Sequence, residues 1–338
     1  MRAVVIERPG VARLSRLAAP EPASGEVVVS VAAAGICGSD LEILRGTRPA
    51  PYVRYPVVPG HEWAGTVVGV GPDVRGVDVG DRVVAEGFRS CGVCERCREG
   101  RTNLCSSEYA ETGFTHQGAF AESLSVPAGL VHRLPADADL AAAALLEPAA
   151  CVAGGLLEAQ LRPGLRIAVV GAGTLGLLAV AMLRLTSPGR LALVGTRKAR
   201  LALGRQLGAG ETYDVNADPV DSLRDTFDLV FEAANRPAGA VTALMLARRG
   251  GTVILEGITG PADPAIQSDL ITLKHLQVHG IFGASGAAWT YAVQLFADGL
   301  LPLTELISHR FVLEEFQSAF DTLEDRDSGA LKVQLLPR

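Results

Sequence analysis

Four cysteines lie close together in one short segment and have the spacing of a metal site. In SCGVCERCREGRTNLC, two residues separate Cys91 from Cys94 and Cys94 from Cys97, and seven more precede Cys105. Four thiolates can surround Zn²⁺ as a tetrahedron and leave no position open for a substrate. The segment therefore predicts a structural zinc site. An iron–sulfur cluster is the chemical alternative, but nothing else in the sequence indicates electron transfer.

A second set of candidate metal ligands is spread over the first half of the sequence. Cys37 lies in GICGSD, His61 and Glu62 lie in PGHEWAG, and Glu147 lies in LLEPAA. A catalytic zinc ion takes about three protein ligands of mixed nitrogen, sulfur and oxygen type and keeps one position for water or substrate. Each residue alone is weak evidence, because a single histidine or glutamate has many structural uses. Together they indicate a catalytic zinc site.

A glycine-rich turn in AVVGAGTLG has the GxGxxG pattern of a dinucleotide site. It directly follows a strand-like apolar run and opens a helix-like one. In that context the glycines let a pyrophosphate approach the amides at the helix N-terminus. A glycine-rich turn without a ligand is the alternative. The residues of this predicted cofactor turn are Gly171, Ala172, Gly173, Thr174, Leu175 and Gly176.

The position that distinguishes NAD from NADP lies about twenty residues past such a turn, where an acidic residue usually binds the ribose of NAD. Here the sequence has Gly195, Thr196, Arg197 and Lys198. Glycine leaves room for a 2′-phosphate, and the three following side chains can donate hydrogen bonds to it. The run predicts a preference for NADP(H) over NAD(H). The alternative is that two basic residues at a helix start are simply solvated.

The length of the chain predicts two domains to position these motifs. It has 338 residues, more than one hydrophobic core usually organises, and a net charge of −6. The acidic balance and the absence of a lysine–arginine block predict no nucleic-acid partner. No apolar run is long enough to predict a membrane span, and the N-terminus lacks the pattern of a signal peptide. The sequence thus predicts a cytoplasmic protein.

The pattern of strand-like and helix-like segments changes along the chain. Up to about residue 150, short strand-like segments such as EVVVSVAAAGI and GDRVVAEG are separated by glycine and proline. From about residue 164, strand-like and helix-like runs alternate from LRIAVVG to LQVHGIF. That alternation predicts a parallel sheet covered by helices on both faces. The last fifty residues return to a mixed pattern, and we expect them to complete the first domain.

The order of CGSD, GHEWAG, the four-cysteine segment, LLEP and GAGTLG resembles the zinc-containing medium-chain dehydrogenases, in the branch of sorbitol, threonine and related polyol dehydrogenases. The resemblance covers nearly the whole chain. It implies an α/β fold with a GroES-like, β-rich catalytic domain at 1–150, a doubly wound Rossmann domain at 151–287, and a segment at 288–338 that completes the catalytic domain. It also implies one catalytic and one structural zinc ion per chain, and a homodimer or homotetramer.

The resemblance carries roles over to individual residues. Cys37 and His61 match the family's catalytic zinc ligands, and Glu147 occupies the place of a third ligand. Glu62 matches the carboxylate beside the histidine, which binds the metal in some members and stands behind it in others. Which of the two glutamates binds zinc directly is therefore left open.

Three further residues match the family's proton relay and its support. Ser39 matches the hydroxyl that bonds the substrate oxygen and begins the relay, and Asp40 resembles the acid that supports the metal site. Many relatives have a histidine two residues after that acid, whereas this chain has Glu42. A carboxylate can accept a proton through water, so the relay route differs from the family's pattern.

The cofactor site is expected to include the ends of further Rossmann strands, in EAAN, LEGITG and GIFGAS. Arg162 and Lys332 are weaker candidates for contacts with the cofactor phosphates. Arg45, Arg48 and Arg54 are either exposed or recognise an anionic substituent of the substrate. The predicted cofactor contacts in the three strand ends are Ala234, Gly257, Ile258 and Phe282.

The expected activity is hydride transfer between NADP(H) and a secondary alcohol or ketone. A site with glutamates in place of a second thiolate is rich in oxygen, which suits a polyol, cyclitol, sugar or amino alcohol as the small-molecule substrate. One alternative is a zinc-free enone or quinone reductase of the same superfamily, although such proteins usually lack both cysteine-containing motifs. A zinc-ribbon interaction protein is a more distant alternative, which the acidic balance disfavours.

Overall fold

The computed structural model describes residues 1–258, 266 and 268–337, which form two compact units. The first unit comprises Met1–Glu147 and Ala284–Arg338, and the second is the continuous stretch Pro148–Gly283. The second unit is therefore inserted in the sequence between the two segments that form the first unit. None of the described helices is both long enough and apolar enough to cross a membrane.

The helices and strands are numbered here in chain order. The strands are β1 (Arg2–Arg8), β2 (Val11–Arg16), β3 (Glu26–Ile36), β4 (Glu62–Val70), β5 (Arg82–Ala85), β6 (Ser123–Pro127), β7 (Val131–Arg133), β8 (Arg166–Val170), β9 (Arg190–Gly195), β10 (Glu211–Asp214), β11 (Phe227–Glu232), β12 (Ala247–Leu255), β13 (Gln277–Gly280), β14 (Ile307–Val312) and β15 (Lys332–Leu336). The α-helices are α1 (Gly38–Arg45), α2 (Glu95–Arg98), α3 (Leu140–Ala143), α4 (Leu146–Glu158), α5 (Thr174–Leu183), α6 (Lys198–Gln206), α7 (Pro237–Leu246), α8 (Ser268–Lys274), α9 (Gly286–Ala297) and α10 (Phe316–Glu324).

The first unit is built on a mixed sheet with β3 at its centre. Its strand order is β14-β15-β3-β4-β5-β7, and β6 also pairs with β3. Most side chains of β3 are buried, which explains why its sequence is a nearly continuous valine and alanine run. The returning C-terminal segment supplies β14 and β15, and β15 pairs antiparallel with β3, with Val333 opposite Ile36. The core of this unit includes Trp63, Phe120 and Phe320.

The second unit contains a six-stranded sheet in the order β10-β9-β8-β11-β12-β13. Every neighbouring pair in it is parallel. Relative to the chain the order is third, second, first, fourth, fifth and sixth, which is the doubly wound arrangement that binds ligands where the order reverses. The predicted α/β fold, with a Rossmann sheet and a separate β-rich domain, is confirmed.

Candidate active site

Three of the predicted metal ligands meet where β3 ends and β4 begins. One ligand atom each from Cys37, His61 and Glu62 lies within 4.8 Å of the other two. Cys37 follows β3 and caps α1, and the antiparallel pairing of β3 with β4 places Gly35 opposite Glu62. His61 and Glu62 are buried, and Cys37 is half-buried. One sulfur, one nitrogen and one oxygen donor is the ligand set of a catalytic zinc site.

Asp40 fixes the two backbone segments that carry these ligands. It is fully buried, and its Oδ2 accepts a hydrogen bond from the Cys37 amide at 2.9 Å. Its Oδ1 accepts from the Gly60 amide at 3.2 Å and lies 3.6 Å from Nδ1 of His61. Such a carboxylate orients a ligating imidazole and tunes its basicity.

The electrostatics of this group favour a bound cation. Burial lowers the pKa of His61, but the neighbouring Asp40, Cys37 and Glu147 outweigh it and raise that pKa well above the ordinary histidine value. A surplus of negative charge around a buried imidazole would be neutralised by Zn²⁺ as well as by a proton. The residues present therefore fit a zinc ion.

Glu62 is also bound by a buried lysine from the C-terminal strand. Nζ of Lys332 lies 2.7 Å and 2.6 Å from Oε1 and Oε2 of Glu62, and Lys332 is only 4% exposed. The two side chains meet across Gly35 in β3, where a Cβ atom would lie 2.3 Å from Oε2 of Glu62. The pairing leaves no role for Lys332 at the cofactor phosphates, so that prediction is wrong.

The four clustered cysteines form a second group of converging ligands. The Sγ atoms of Cys91 and Cys97 are 4.0 Å apart, and those of Cys94 and Cys105 are 3.9 Å apart. Hydrogen bonds to Ser106 lower the pKa of the Cys94 thiol to about 5, and those to Ser107 lower the pKa of Cys105 to about 7. Burial and the neighbouring Cys94 raise the pKa of Cys97 to about 11. Thiolates are the form that binds zinc, so metal binding to this loop would release the proton that Cys97 holds.

The glycine-rich turn joins β8 to α5 in the second unit. Gly171 has φ of +110°, and a Cβ atom there would lie 2.7 Å from backbone atoms of Ala233 and Ala234. A Cβ atom at Gly176 would lie 1.8 Å from the Gly171 carbonyl oxygen. Only glycine fits these two positions, because the helix starts so close to the strand. Gly173 caps α5, whose first residue is Thr174, so the N-terminal amides of the helix lie at the turn.

Comparison with known proteins assigns the chain to a family. Residues 23–136 match the alcohol dehydrogenase GroES-like domain, and residues 143–333 match the glucose dehydrogenase C-terminus. L-threonine 3-dehydrogenase of Bacillus velezensis is 34% identical, with 96% of this chain and 95% of that protein covered. The chain belongs to the zinc-containing medium-chain dehydrogenases.

Two further similarities place this dehydrogenase in the same branch. Sorbitol dehydrogenase of Bacillus subtilis is 30% identical, and the match covers 100% of this chain and 97% of that protein. A protein of Sinorhizobium meliloti 1021, classed as a zinc-binding dehydrogenase and solved with bound NADP, has a TM-score of 0.91 and 30% identity, with 99% of each chain covered. This dehydrogenase is therefore an oxidoreductase of the alcohol and polyol dehydrogenase type.

The remaining predicted catalytic residues lie around the three ligands. Glu147, in the first turn of α4, is half-buried and is not among the three described residues that converge, although its charge raises the pKa of His61. Ser39 is half-buried in the first turn of α1, and its hydroxyl forms no hydrogen bond with the described residues. Glu42, one turn further on, pairs with Arg48 at 3.4 Å. The predicted outer end of the relay is thus held by a cation.

Two of the predicted cofactor contacts, Ala234 and Gly257, lie on loops whose backbone amides bind the same buried carboxylate. Glu232, at the end of β11, is 1% exposed, and its two oxygens accept from the amides of Ala234 at 2.7 Å and Gly257 at 3.3 Å. Ile258 and Phe282 are exposed. Thr259 and Gly260, the last residues of LEGITG, lie outside the described residues.

The run predicted to select the cofactor lies between β9 and α6. Gly195 is buried at the end of β9, Thr196 is exposed, and Arg197 caps α6, which begins at Lys198. In the described part of the chain, no carboxylate lies within ion-pair distance of Arg197 or Lys198. Burial and the charge of Arg197 together lower the pKa of nearby Arg200 to about 10. The start of α6 therefore concentrates positive charge.

Sequence reasoning gave Lys332 the wrong role and did not single out Glu111, two polar residues of the first unit. Lys332 had a signal, because a lysine inside the apolar run ALKVQLL indicates a buried and therefore paired charge. Glu111 had none, since a single glutamate in a loop has no pattern. It is 6% exposed, and burial raises its pKa to about 8, against the lowering effect of His61 and Arg48.

Replacing Cys94 with serine is expected to remove the zinc of the cysteine loop and to leave the zinc at Cys37. Because four sulfur ligands close that site, losing one should open the loop between Cys91 and Cys105 to proteolysis. Metal analysis should then give one zinc ion per chain, and limited trypsin digestion should cut at the loop arginines. An unchanged zinc content would contradict the assignment.

Proposed function

We propose that this dehydrogenase interconverts a secondary alcohol and its ketone with NADP(H), on a substrate such as a polyol, cyclitol, sugar or amino alcohol. The convergence of Cys37, His61 and Glu62 carries the proposal, because it gives the site a single thiolate beside a carboxylate. An oxygen-containing ligand set makes the metal harder and suits oxygen-rich substrates. The named activities of the threonine and sorbitol dehydrogenase relatives agree with this substrate class.

The protein residues would divide the work of the reaction. A bound zinc ion supplies Lewis acidity toward the substrate oxygen, and a bound nicotinamide exchanges the hydride. Cys37, His61 and Glu62 would hold the metal. Ser39 would accept the hydroxyl proton at its Oγ and pass on its own hydroxyl proton in the same step; this Oγ forms no hydrogen bond with the described residues. Glu42 lies three residues later on α1, so it is on the same helix face and can receive that proton through water.

The cationic start of α6 supports the choice of NADP(H). Arg197 and Lys198 lie shortly after a buried glycine, and the positive charge of Arg197 adds to burial in lowering the pKa of Arg200. A dianionic 2′-phosphate would relieve this repulsion and accept charge-assisted hydrogen bonds. An acidic residue at the Gly195 position would instead repel the phosphate.

Replacing Arg197 with alanine is expected to lower kcat/KM for NADP(H) by about 10- to 100-fold, because a hydrogen bond to a charged group is lost. The value for NAD(H) should change little. Arg205→Ala is a matched control, since Arg205 lies on the same helix and donates to Thr212 at 2.8 Å. An unmodified enzyme that uses NAD(H) tenfold better than NADP(H) would overturn this choice of cofactor.

A full reversal toward NAD(H) needs more than an acidic residue at position 195. A Cβ atom on Gly195 would lie 2.9 Å from Cβ of Ala172, so the turn has to shift. We therefore expect Gly195→Asp to work better when it is combined with Ala172→Gly and Arg197→Ala. Steady-state kinetics with both cofactors measures the change.

The substrate class is tested by a panel of secondary alcohols, polyols, cyclitols and 3-hydroxy amino acids with both cofactors. The proposal expects oxidation of oxygen-rich members and two zinc ions per chain. Reduction of enones or quinones by a protein with fewer than two zinc ions would favour the zinc-free alternative. The proposed homodimer or homotetramer is measured by sedimentation velocity.

A further inference from the structure

The first unit contains a cavity of about 460 Å³ that is built from three separate parts of the chain. Residues 75–77 come from the loop between β4 and β5, residues 131–133 are β7, and residues 290, 293 and 294 lie on one face of α9. Small-molecule pockets usually have volumes of about 300–1,000 Å³, so this cavity is large enough to hold a ligand. None of its lining residues belongs to the metal group, the cysteine loop or the predicted cofactor site.

The charged side chains that line this cavity are all of one sign. Two arginines and a histidine contribute to it, Arg75, Arg133 and His132, and none of the described residues that line it is acidic. This is a local excess of basic groups in a chain whose net charge is −6. A concave surface lined by one sign of charge concentrates ligands of the opposite sign. The cavity therefore favours an anion.

Both arginines keep their guanidinium groups available for a ligand. Arg75 is exposed, and its side chain forms no hydrogen bond or ion pair with any residue that the structure describes. Arg133 is 60% exposed and pairs with Oδ2 of Asp81 at 4.0 Å. An exposed ion pair of that length contributes little, so a ligand can compete with Asp81 for the guanidinium. Each planar guanidinium can bind two oxygens of one anionic group.

The ring of His132 is held in a fixed orientation by two contacts. Its Nε2 lies 3.3 Å from Oε1 of Glu86, a carboxylate that is itself buried. The ring also stacks on that of Trp289, with centroids 5.7 Å apart and an angle of 13° between the planes. With Nε2 bound to Glu86, Nδ1 has no hydrogen-bond partner in the described part of the chain. The second ring nitrogen is therefore available to a ligand.

Apolar side chains complete the lining of the cavity. Val77, Val131 and Val293 come from the same three parts of the chain as the basic residues and α9. Val77 is buried, and the other two are half-buried. Orienting polar groups beside an apolar surface are typical of a site for a small organic molecule. The volume leaves room for an organic group next to the anion.

We propose that this cavity is a second ligand site that binds a small organic phosphate. The phosphate group contacts Arg75, Arg133 and His132, and the organic group packs against the valines. A phosphate monoester carries between one and two negative charges near neutral pH, which suits two arginines better than the single charge of a carboxylate does. The site goes beyond the proposed function, because binding there needs neither the metal nor the nicotinamide.

Isothermal titration with phenyl phosphate tests the site in the zinc-loaded enzyme saturated with NADPH, so that the predicted cofactor site is already filled. We expect one phenyl phosphate to bind per chain. Inorganic phosphate lacks the apolar group and phenol lacks the charge, so each should bind about tenfold more weakly. Raising the NaCl concentration from about 50 mM to about 500 mM should weaken binding, because salt screens exposed charges. Benzoate that binds as tightly as phenyl phosphate would overturn the choice of a phosphate.

Substitutions of the two arginines locate the binding. Arg75→Gln and Arg133→Gln should each raise the Kd of phenyl phosphate about tenfold, because each removes a charge-assisted hydrogen bond. The double variant should show no measurable binding. Arg13→Gln is the matched control, since Arg13 is 67% exposed in the same unit and pairs with Glu7 at 3.8 Å. It removes the same charge elsewhere and should leave the Kd unchanged. Zinc content and thermal unfolding verify that each variant is folded and loaded.

Tryptophan fluorescence gives a second readout, because Trp289 stacks on the His132 ring that lines the cavity. Phenyl phosphate should change the emission of the unmodified enzyme and of Arg13→Gln, and should leave that of the double arginine variant unchanged. Equal binding by the double variant and the unmodified enzyme overturns the proposal, as does a lack of binding at millimolar phenyl phosphate. Neither readout depends on turnover, so the result stands whether or not the enzyme oxidises a member of the alcohol panel.

Discussion

Replacing Cys37 with serine is expected to abolish turnover and to leave cofactor binding intact. The Cys37 sulfur is one of the three ligand atoms that converge in the described part of the chain, and a serine hydroxyl is not ionised near neutral pH and binds zinc poorly. Without the metal, the charge that develops on the substrate oxygen loses its main stabilising partner. We expect kcat/KM to fall at least about 1000-fold, which corresponds to about 4 kcal/mol of transition-state stabilisation.

Metal analysis and cofactor titration show whether that loss is local. Cys37→Ser should retain one zinc ion per chain, and its affinity for NADPH, measured by fluorescence, should stay within about threefold of the unmodified enzyme, since the glycine-rich turn belongs to the second unit. Cys94→Ser is the reciprocal control, because it should lose the other zinc ion. Substantial activity in metal-depleted Cys37→Ser would refute the catalytic site.

Replacing Lys332 with methionine should destabilise the first unit by about 3–5 kcal/mol, because it leaves the buried carboxylate of Glu62 without its partner. Both tryptophans of the chain, Trp63 and Trp289, lie in this unit. Their fluorescence during urea unfolding therefore reports on the unit that contains the pair.

A double-mutant cycle isolates the interaction from other effects of the substitution. Glu62→Gln, Lys332→Met and the double variant are compared with the unmodified chain under identical chelator treatment, so that bound metal does not enter the comparison. The double variant should recover about 2 kcal/mol or more relative to the sum of the single variants. A coupling below about 0.5 kcal/mol would mean that the contact contributes little to stability.

The local parts of the site could be predicted from the sequence. The cysteine loop and the glycine-rich turn each lie within about fifteen residues, and their chemistry follows from spacing alone. Cys37, His61 and Glu62 needed the resemblance to a family, because single residues far apart in the chain have no spacing rule. The alternation of strands and helices predicted the Rossmann sheet, since hydrophobic periodicity reports buried faces directly.

The parts that depend on strand pairing could not be predicted. The contact between Glu62 and Lys332 joins residues 270 positions apart and depends on the register of β15 against β3. Likewise, the loop that contains Glu111 lies against the backbone of Gly60 and His61 only because residue 113 is a glycine. Register and close backbone approach are tertiary properties, and neither leaves a pattern in the residues concerned.

The interruption of the first unit by the second has a consequence for how the chain is made. Ribosomes deliver the N-terminal part first, and domains tend to fold as units as they emerge. The second unit is continuous, so it can fold while the first still lacks β14 and β15. Until β15 is synthesised, Glu62 has no lysine partner and residues Ala34–Ile36 at the end of β3 lack their neighbour on one edge. A nascent chain can therefore hold a finished dinucleotide-binding fold while its metal site still lacks the strand that completes it.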